Sequence, residues 1–212
     1  GARFVSPVLR ELQSSHPKLS VELELGSSFV DMTERDIDVA VRIGRLPDSS
    51  LLSRTLGYVP RVLIASTGYL QRVGPIETPN DLERCEFIFY GSQHAGNRIA
   101  FEDSSIDVRP RGRFTVNNVS AIQELVEAGV GVHLGPLWAF AKAIHARRLV
   151  ALLPEHPLGA YPLRAIHPPA HYIPAKTARF LESMTLYARE SIPGLIAPRS
   201  GTRPIDPARS QP

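Results

Sequence analysis

The sequence predicts an α/β fold made of two lobes joined by two crossover segments. Three observations predict it. Short β-branched or wholly apolar runs, Ile37 to Ile43, Phe87 to Tyr90 and Val130 to Leu134, are separated by stretches with helical spacing, the alternation of a sheet flanked by helices. Thr67 to Val73 follows a strand and leads away from it, while His167-Pro168-Pro169 is a second connection stiffened by proline. A long amphipathic pattern, Ala175 to Glu190, then returns the chain to the first lobe. The expected division is lobe I at 1–66 with 167–192, lobe II at 67–166 and a disordered tail at 193–212.

Taken in order, Ser6 or Pro7 opens a helix through Val8, Leu9 and Leu12, closed by His16-Pro17. Leu19, Val21, Leu23 and Leu25 alternate with polar residues and read as a strand. Gly26-Ser27-Ser28 is a turn, and Asp31-Met32 begins a short helix. Ile37, Val39, Val41 and Ile43 recur at period two as a half-buried strand, stopped by Gly44 before the loop Pro47 to Ser50. Tyr58 to Ser66 is a further strand.

In the second lobe, Thr78-Pro79-Asn80-Asp81-Leu82 carries a helix-start signal. Phe87 to Tyr90 is a buried parallel strand ended by Gly91, and Asn97 to Asp107 is irregular. Asn118 or Ser120 caps a helix with Ile122, Leu125 and Val126 on one stripe and Gly129 as its stop. Val130 to Leu134 is a strand, Leu137 to Ala146 a helix, and Leu149 to Leu153 and Leu163 to Ile166 are short strands. The tail from Ile192 is rich in Pro, Arg and Ser with little to bury.

The totals narrow the function classes. At 212 residues the chain can bury a sizeable core without disulfide or metal. The one cysteine, Cys85, fits a reducing compartment and a buried thiol beside Phe87, so a cytoplasmic location is expected. The net charge of +3 invites a nucleic-acid reading, but the arginines are scattered. Only Arg109, Arg111 and Arg113 alternate, on what reads as a solvated strand edge. No helix-turn-helix, zinc finger or RNA-recognition strand is present, so the chain alone is not expected to bind DNA specifically. No apolar run reaches the ~18 residues that span a bilayer.

Catalytic and metal chemistry finds little support. None of the histidines at 16, 94, 133, 145, 156, 167 and 171 makes a metal-ligand spacing. His133, inside an apolar run, is either a hydrogen-bonded core residue or a ligand contact. Gly129, Gly131 and Gly135 follow a helix and open a strand, the reverse of a dinucleotide fingerprint. Ser92 and His94 lack an orienting carboxylate. Asp36 with Asp38, and Glu102 with Asp103, read as surface charge. No cofactor and no metal are expected. Arg42, near the end of its strand, is either a carboxylate clamp or the partner of a neighbouring Asp.

Asp36 to Leu51, DIDVAVRIGRLPDSSL, followed by Arg61 to Leu70, RVLIASTGYL, resembles the effector-binding domain of LysR-type transcriptional regulators. The likeness continues through Thr78 to Leu82, Cys85 to Ile88, Thr115 to Pro136, Arg148 to Pro154 and Ala178 to Leu181, covering about Arg3 to Tyr187. It implies two Rossmann-like lobes in a type 2 periplasmic-binding-protein-like fold, with a small effector, often an organic acid, in the cleft between them. The matching ligand positions are Ser27, Ser28, Arg42, Tyr90, Gly91, Asn118, Val119, His133, Gly135 and Pro136, with Ser27 and Asn118 best matched. The resemblance also implies a homodimer or tetramer in which the first helix meets the helix near Ile122 of a second copy. DNA would be bound only through a domain outside this chain. It implies a sensor rather than an enzyme, with no membrane partner. The family's domain has an apolar strand just before the equivalent of Gly1, so its absence here implies a fragment or a substitute for that strand. The rival readings are an extracytoplasmic solute-binding protein delivering a small anion to a transporter, and a small hydrolase or isomerase using His133 or Arg42.

Overall fold

In the computed structural model, residues 2–26, 32, 35–44, 51–91, 98–169, 173–191 and 195–196 are described. Ser27, Ser28, Asp31, the Pro47 to Ser50 loop, Ser92, His94, His171 and the chain after Ile196 lie outside them. Contacts divide the chain into two compact units, one of Gly1–Val59 with Tyr161–Thr202 and one centred on Pro60–Ala160.

Among the described residues, the first unit is an antiparallel sheet with two helices. Strand β1 (Ala40–Ile43) and strand β2 (Leu52–Val59) both pair with β8 (Tyr161–His167), giving the order β1-β8-β2. Helix α1 (Ala2–Ser15) packs against α5 (Ala175–Ser191), and α5 packs on β2. The core is Phe4, Val5, Val8 and Leu12 from α1, Leu56 and Val59 from β2, Leu163 and Ala165 from β8, and Leu181, Met184 and Ala188 from α5.

Four expectations for this unit are corrected. Helix α1 begins at Ala2 rather than Ser6, with Pro7 inside it. Burial of Phe4 and Val5 on the same stripe as Val8 offsets the hydrogen bond a mid-helix proline forgoes. Leu19 to Leu25 is not a strand: Val21, Leu23 and Leu25 stand exposed, and among the described residues no neighbouring strand supplies backbone partners. The strand expected over Ile37 to Ile43 is confined to Ala40–Ile43, because Asp36 adopts a left-handed backbone (φ 53°) and Ile37 N–H turns back to the Met32 carbonyl. Gly44 (φ 107°) ends it as the sequence indicates. Finally, Tyr58 to Ser66 is two strands, β2 and β3 (Arg61–Ala65), split at Pro60, which has no N–H for a ladder. Within the segment read as a tail, Ile196 exchanges backbone hydrogen bonds with Tyr58 at 2.8 and 2.9 Å.

The second unit is a mixed sheet covered on both faces. Strand β3 pairs antiparallel with β6 (His133–Pro136) and β7 (Val150–Leu152), while β4 (Glu86–Tyr90) pairs parallel with β5 (Arg111–Val116). A parallel bridge, Phe87 to Val132, joins these pieces in the order β5-β4-β6-β3-β7. Alternation along the strands then sorts the core. Val62, Ile64 and Ile88 pack with Ile122, Val126, Phe140 and Leu149 on one face. Leu63, Ala65, Phe87 and Phe89 pack with Tyr69, Leu82, Ile99, Phe101 and Val132 on the other.

Thr67–Val73, expected as a crossover, is helix α2, started by the Ser66 hydroxyl accepting the Tyr69 N–H at 3.3 Å. Pro79–Arg84 is a 3-10 helix closed by a capping box, in which the Asp81 carboxylate accepts the Thr78 N–H at 2.8 Å. Helix α3 (Val119–Glu127) buries Ile122 and Val126 and stops at Gly129 (φ 77°). Helix α4 (Leu137–His145) buries Phe140 and Ala143.

Arg61 closes this unit's loops: its guanidinium donates to the Gly159 carbonyl and, at 2.6 Å, to the Ala100 carbonyl. Arg61→Ala should cost about 2 kcal/mol in chemical denaturation, the scale of losing charge-assisted bonds from partly buried carbonyls. Arg61→Lys should restore under half of that, because an ammonium cannot fork to both acceptors.

Candidate functional site

In the second unit β4, β5 and the 132–136 run point the same way, so their C-terminal ends share one edge of the sheet. That edge carries Tyr90 and Gly91, the Val116 to Val119 turn, and Gly135 with Pro136. The Gly91 N–H donates to the Val116 carbonyl at 3.0 Å, which holds the ends of β4 and β5 together. Asn118 caps α3: its side-chain oxygen accepts the Ala121 N–H at 3.0 Å. The Val119 and Ser120 N–H groups have no acceptor within the helix and, with the helix dipole, favour a negative ligand group.

His133 stands differently. It is 2 % exposed, and its Nδ1–H donates to the Ile88 carbonyl at 2.7 Å. The acceptor is a carbonyl, so the proton is on Nδ1. Its ring meets Phe140 edge-on at 5.5 Å, and burial pushes its pKa down to about 4, against a smaller opposing effect of the Ile88 bond. It is a neutral core residue that ties β6 to β4. Gly135 is needed beside it: a Cβ there would lie 2.4 Å from the Phe140 ring and 2.7 Å from His133 Nε2.

In the first unit Arg42 pairs directly across the sheet from Arg164 on β8. Directly opposed residues present their side chains on one face, and like charges there repel. Arg42 Nη1 donates to the Gly26 carbonyl at 2.9 Å, fixing one guanidinium beside the segment that leads to Ser27. Arg164 Nε is buried and has no hydrogen-bond partner among the described residues. Two half-buried guanidiniums on one face form a site suited to a carboxylate or another small anion. The alternative for Arg42, pairing with a neighbouring aspartate, does not hold for Asp38, which bonds Lys176 at 2.7 Å on the surface.

Arg164 escaped the sequence reading. Its signal was an arginine inside the apolar run Leu163 to Ile166, but only the register of β1 against β8 sets it opposite Arg42. Cys85 is buried and burial raises its thiol pKa, as expected of an inert core cysteine.

The family model for the LysR substrate binding domain matches residues 1–188. The HTH-type transcriptional regulator PtxR of Pseudomonas aeruginosa is 35% identical over 182 residues, 85% of this chain and 58% of that protein. The HTH-type transcriptional activator AaeR of Escherichia coli is 32% identical over 179 residues, 84% of this chain and 58% of its own length. The chain therefore spans under two thirds of these relatives. Among solved structures, the regulatory domain of CrgA, a LysR-type transcriptional regulator from Neisseria meningitidis, superposes with TM-score 0.75 at 20% identity, covering 88% of this chain and 93% of that one. The regulatory domain of AphB from Vibrio vulnificus gives 0.64 at 25% identity, covering 87% and 92%. No helix among the described residues is long and apolar enough to cross a membrane.

Proposed function

This chain belongs to the LysR substrate binding domain family, and on that premise we propose that it is the ligand-sensing regulatory domain of a bacterial LysR-type transcriptional regulator. It binds a small organic acid and catalyses no reaction. Effector binding acts by differential affinity for two arrangements of the domain, which is the only way a ligand can shift such an equilibrium. The shift passes through homodimer or tetramer contacts to a DNA-binding part outside this chain, and the protein works in the cytoplasm. Ile122 is fully buried, so in a dimer the contact on α3 falls to its polar face, where Glu124 is exposed. That the matched relatives are transcriptional regulators supports this reading over a solute-binding protein serving a transporter.

The observation that carries the anionic ligand is the cross-strand opposition of Arg42 and Arg164, two guanidiniums on one face, with Arg164 Nε buried and without a hydrogen-bond partner among the described residues. The family resemblance makes Tyr90, Gly91, Asn118, Val119, Gly135 and Pro136 on the second unit further ligand positions, with His133 packed against Gly135; Ser27 and Ser28, also matched, lie outside the described residues. The test is calorimetry of the chain against small mono- and dicarboxylic acids and their amides. Carboxylates should bind and amides should not. Arg164→Gln and Arg42→Ala should each weaken the best acid by at least about tenfold, the scale of one charge-assisted bond. Equal affinities in both variants would remove these residues from the site.

A further inference from the structure

We propose that the second unit holds a separate site for a compact, multiply charged phosphoryl anion, in the groove where α2, the 3-10 helix and β5 converge. The groove has a volume of about 980 Å³ and is lined by Arg72, Arg84, Arg109, Arg111 and Arg113, with Glu86 as the one lining carboxylate among the described residues. Its floor is closed by the buried Tyr69 and Cys85.

The guanidiniums are not equivalent. Arg72 donates to the Gly129 carbonyl at 2.6 Å and lies 5.2 Å over the Tyr69 ring; Arg84 donates to the Val73 and Pro75 carbonyls. Both are therefore held in place by neutral acceptors, Arg84 with a loose ion pair to Asp81 at 3.5 Å besides. Arg109 and Arg113 make loose pairs with Asp107 and Glu86, at 3.5 and 3.4 Å, on side chains 70% and 85% exposed. Such pairs are weak and exchange readily for a better anion. Arg111 is exposed, and its side chain has no hydrogen bond or ion pair among the described residues. With Asp81 behind Arg84 and Asp107 behind Arg109, the local excess is about two positive charges. Planar forks arriving from three elements around one hollow suit the several oxygens of linked phosphoryl groups. A nucleic-acid backbone would instead call for cations spaced along a line.

This site shares no residue with the Arg42 and Arg164 pair, so the two assignments fail separately. The test is calorimetry of the full chain with inorganic pyrophosphate at low and moderate salt, orthophosphate and a duplex of arbitrary sequence as further arms. We expect one pyrophosphate per chain, weaker orthophosphate binding, and weaker binding at higher salt. Arg111→Glu should reduce pyrophosphate affinity by at least about tenfold, and Arg111→Gln several-fold, both with unchanged melting temperature, whereas Arg42→Ala should leave it intact. Three results would overturn the proposal: no heat up to about 10 mM pyrophosphate, beyond millimolar affinity; the same affinity in both Arg111 variants; or loss in Arg42→Ala instead. Duplex binding that depends on Arg111 and resists pyrophosphate competition would also overturn it, by making the backbone the occupant.

Discussion

Between pH 6.5 and about 4 the second unit should lose about 3 kcal/mol of stability through His133 alone. The ring is neutral and 2 % exposed in the folded chain, and its pKa is about 4 against 6.5 when unfolded. In that window the unfolded state binds a proton that the folded state refuses. Stability is therefore whole above pH 6.5, falls as the pH drops, and levels off below about 4, where both states are protonated. Asp81 and Asp103 are held below the ordinary carboxylate range by hydrogen bonds from Thr78 and Ser105, so what they contribute is lost only at more acid pH. The chain has one tryptophan, Trp138 on α4, so its fluorescence in urea reports on this unit. His133→Gln keeps an N–H for the Ile88 carbonyl and removes the titration. The difference between wild type and variant should grow by about 3 kcal/mol from pH 4 to 7. Parallel curves across that range would show that His133 is not the buried neutral group described.

What was legible in the sequence is what local chemistry determines. Helix α3 announced itself by a cap at Asn118 or Ser120, of which the structure uses Asn118, by the Ile122 and Val126 stripe and by the Gly129 stop, and β4 by an apolar run with Gly91 after it. Both need only neighbours in sequence to be recognised. The misreadings arose where a distant partner decides. Val21, Leu23 and Leu25 have the alternation of a strand, but alternation only prepares a face, and a strand forms when another supplies its hydrogen bonds. Pro7 reads as a helix start until the burial of Phe4 and Val5 extends the helix upstream.

The candidate site divides in the same way. The element ends at Tyr90, Asn118 and Gly135 could be named because turns and caps mark them, whereas the opposition of Arg42 and Arg164 is a fact of register between strands more than a hundred residues apart. Likewise Arg109, Arg111 and Arg113 were visible as an alternating trio. Their meeting with Arg72 and Arg84 over one groove needed the fold.

The groove and the sheet edge depend on one backbone contact, and Gly112→Ala should break it at a cost of about 3 kcal/mol, the upper end for overpacking a well-filled site. A Cβ on Gly112 would lie 1.8 Å from the Phe87 carbonyl oxygen, 2.6 Å from its carbon and 2.8 Å from its nitrogen. All three are backbone atoms, so no side chain can swing aside. Nor can β4 retreat, because Gly131 makes a similar approach from its other side, where a Cβ would meet the Glu86 oxygen at 2.3 Å. The ladder records the constraint as a register shift between Glu86 and Ile88 opposite Gly112. An added methyl must therefore push β5 away from β4, loosening the Ile88 to Phe114 and Tyr90 to Val116 pairings. Gly68 on α2 provides the control: nothing lies within 4 Å of a Cβ there, so Gly68→Ala should be neutral or stabilise by up to about 1 kcal/mol. Urea denaturation followed at Trp138 measures both. A Gly112→Ala chain as stable as Gly68→Ala would mean that β5 yields without cost, and the arginines it carries could not then be held over the groove.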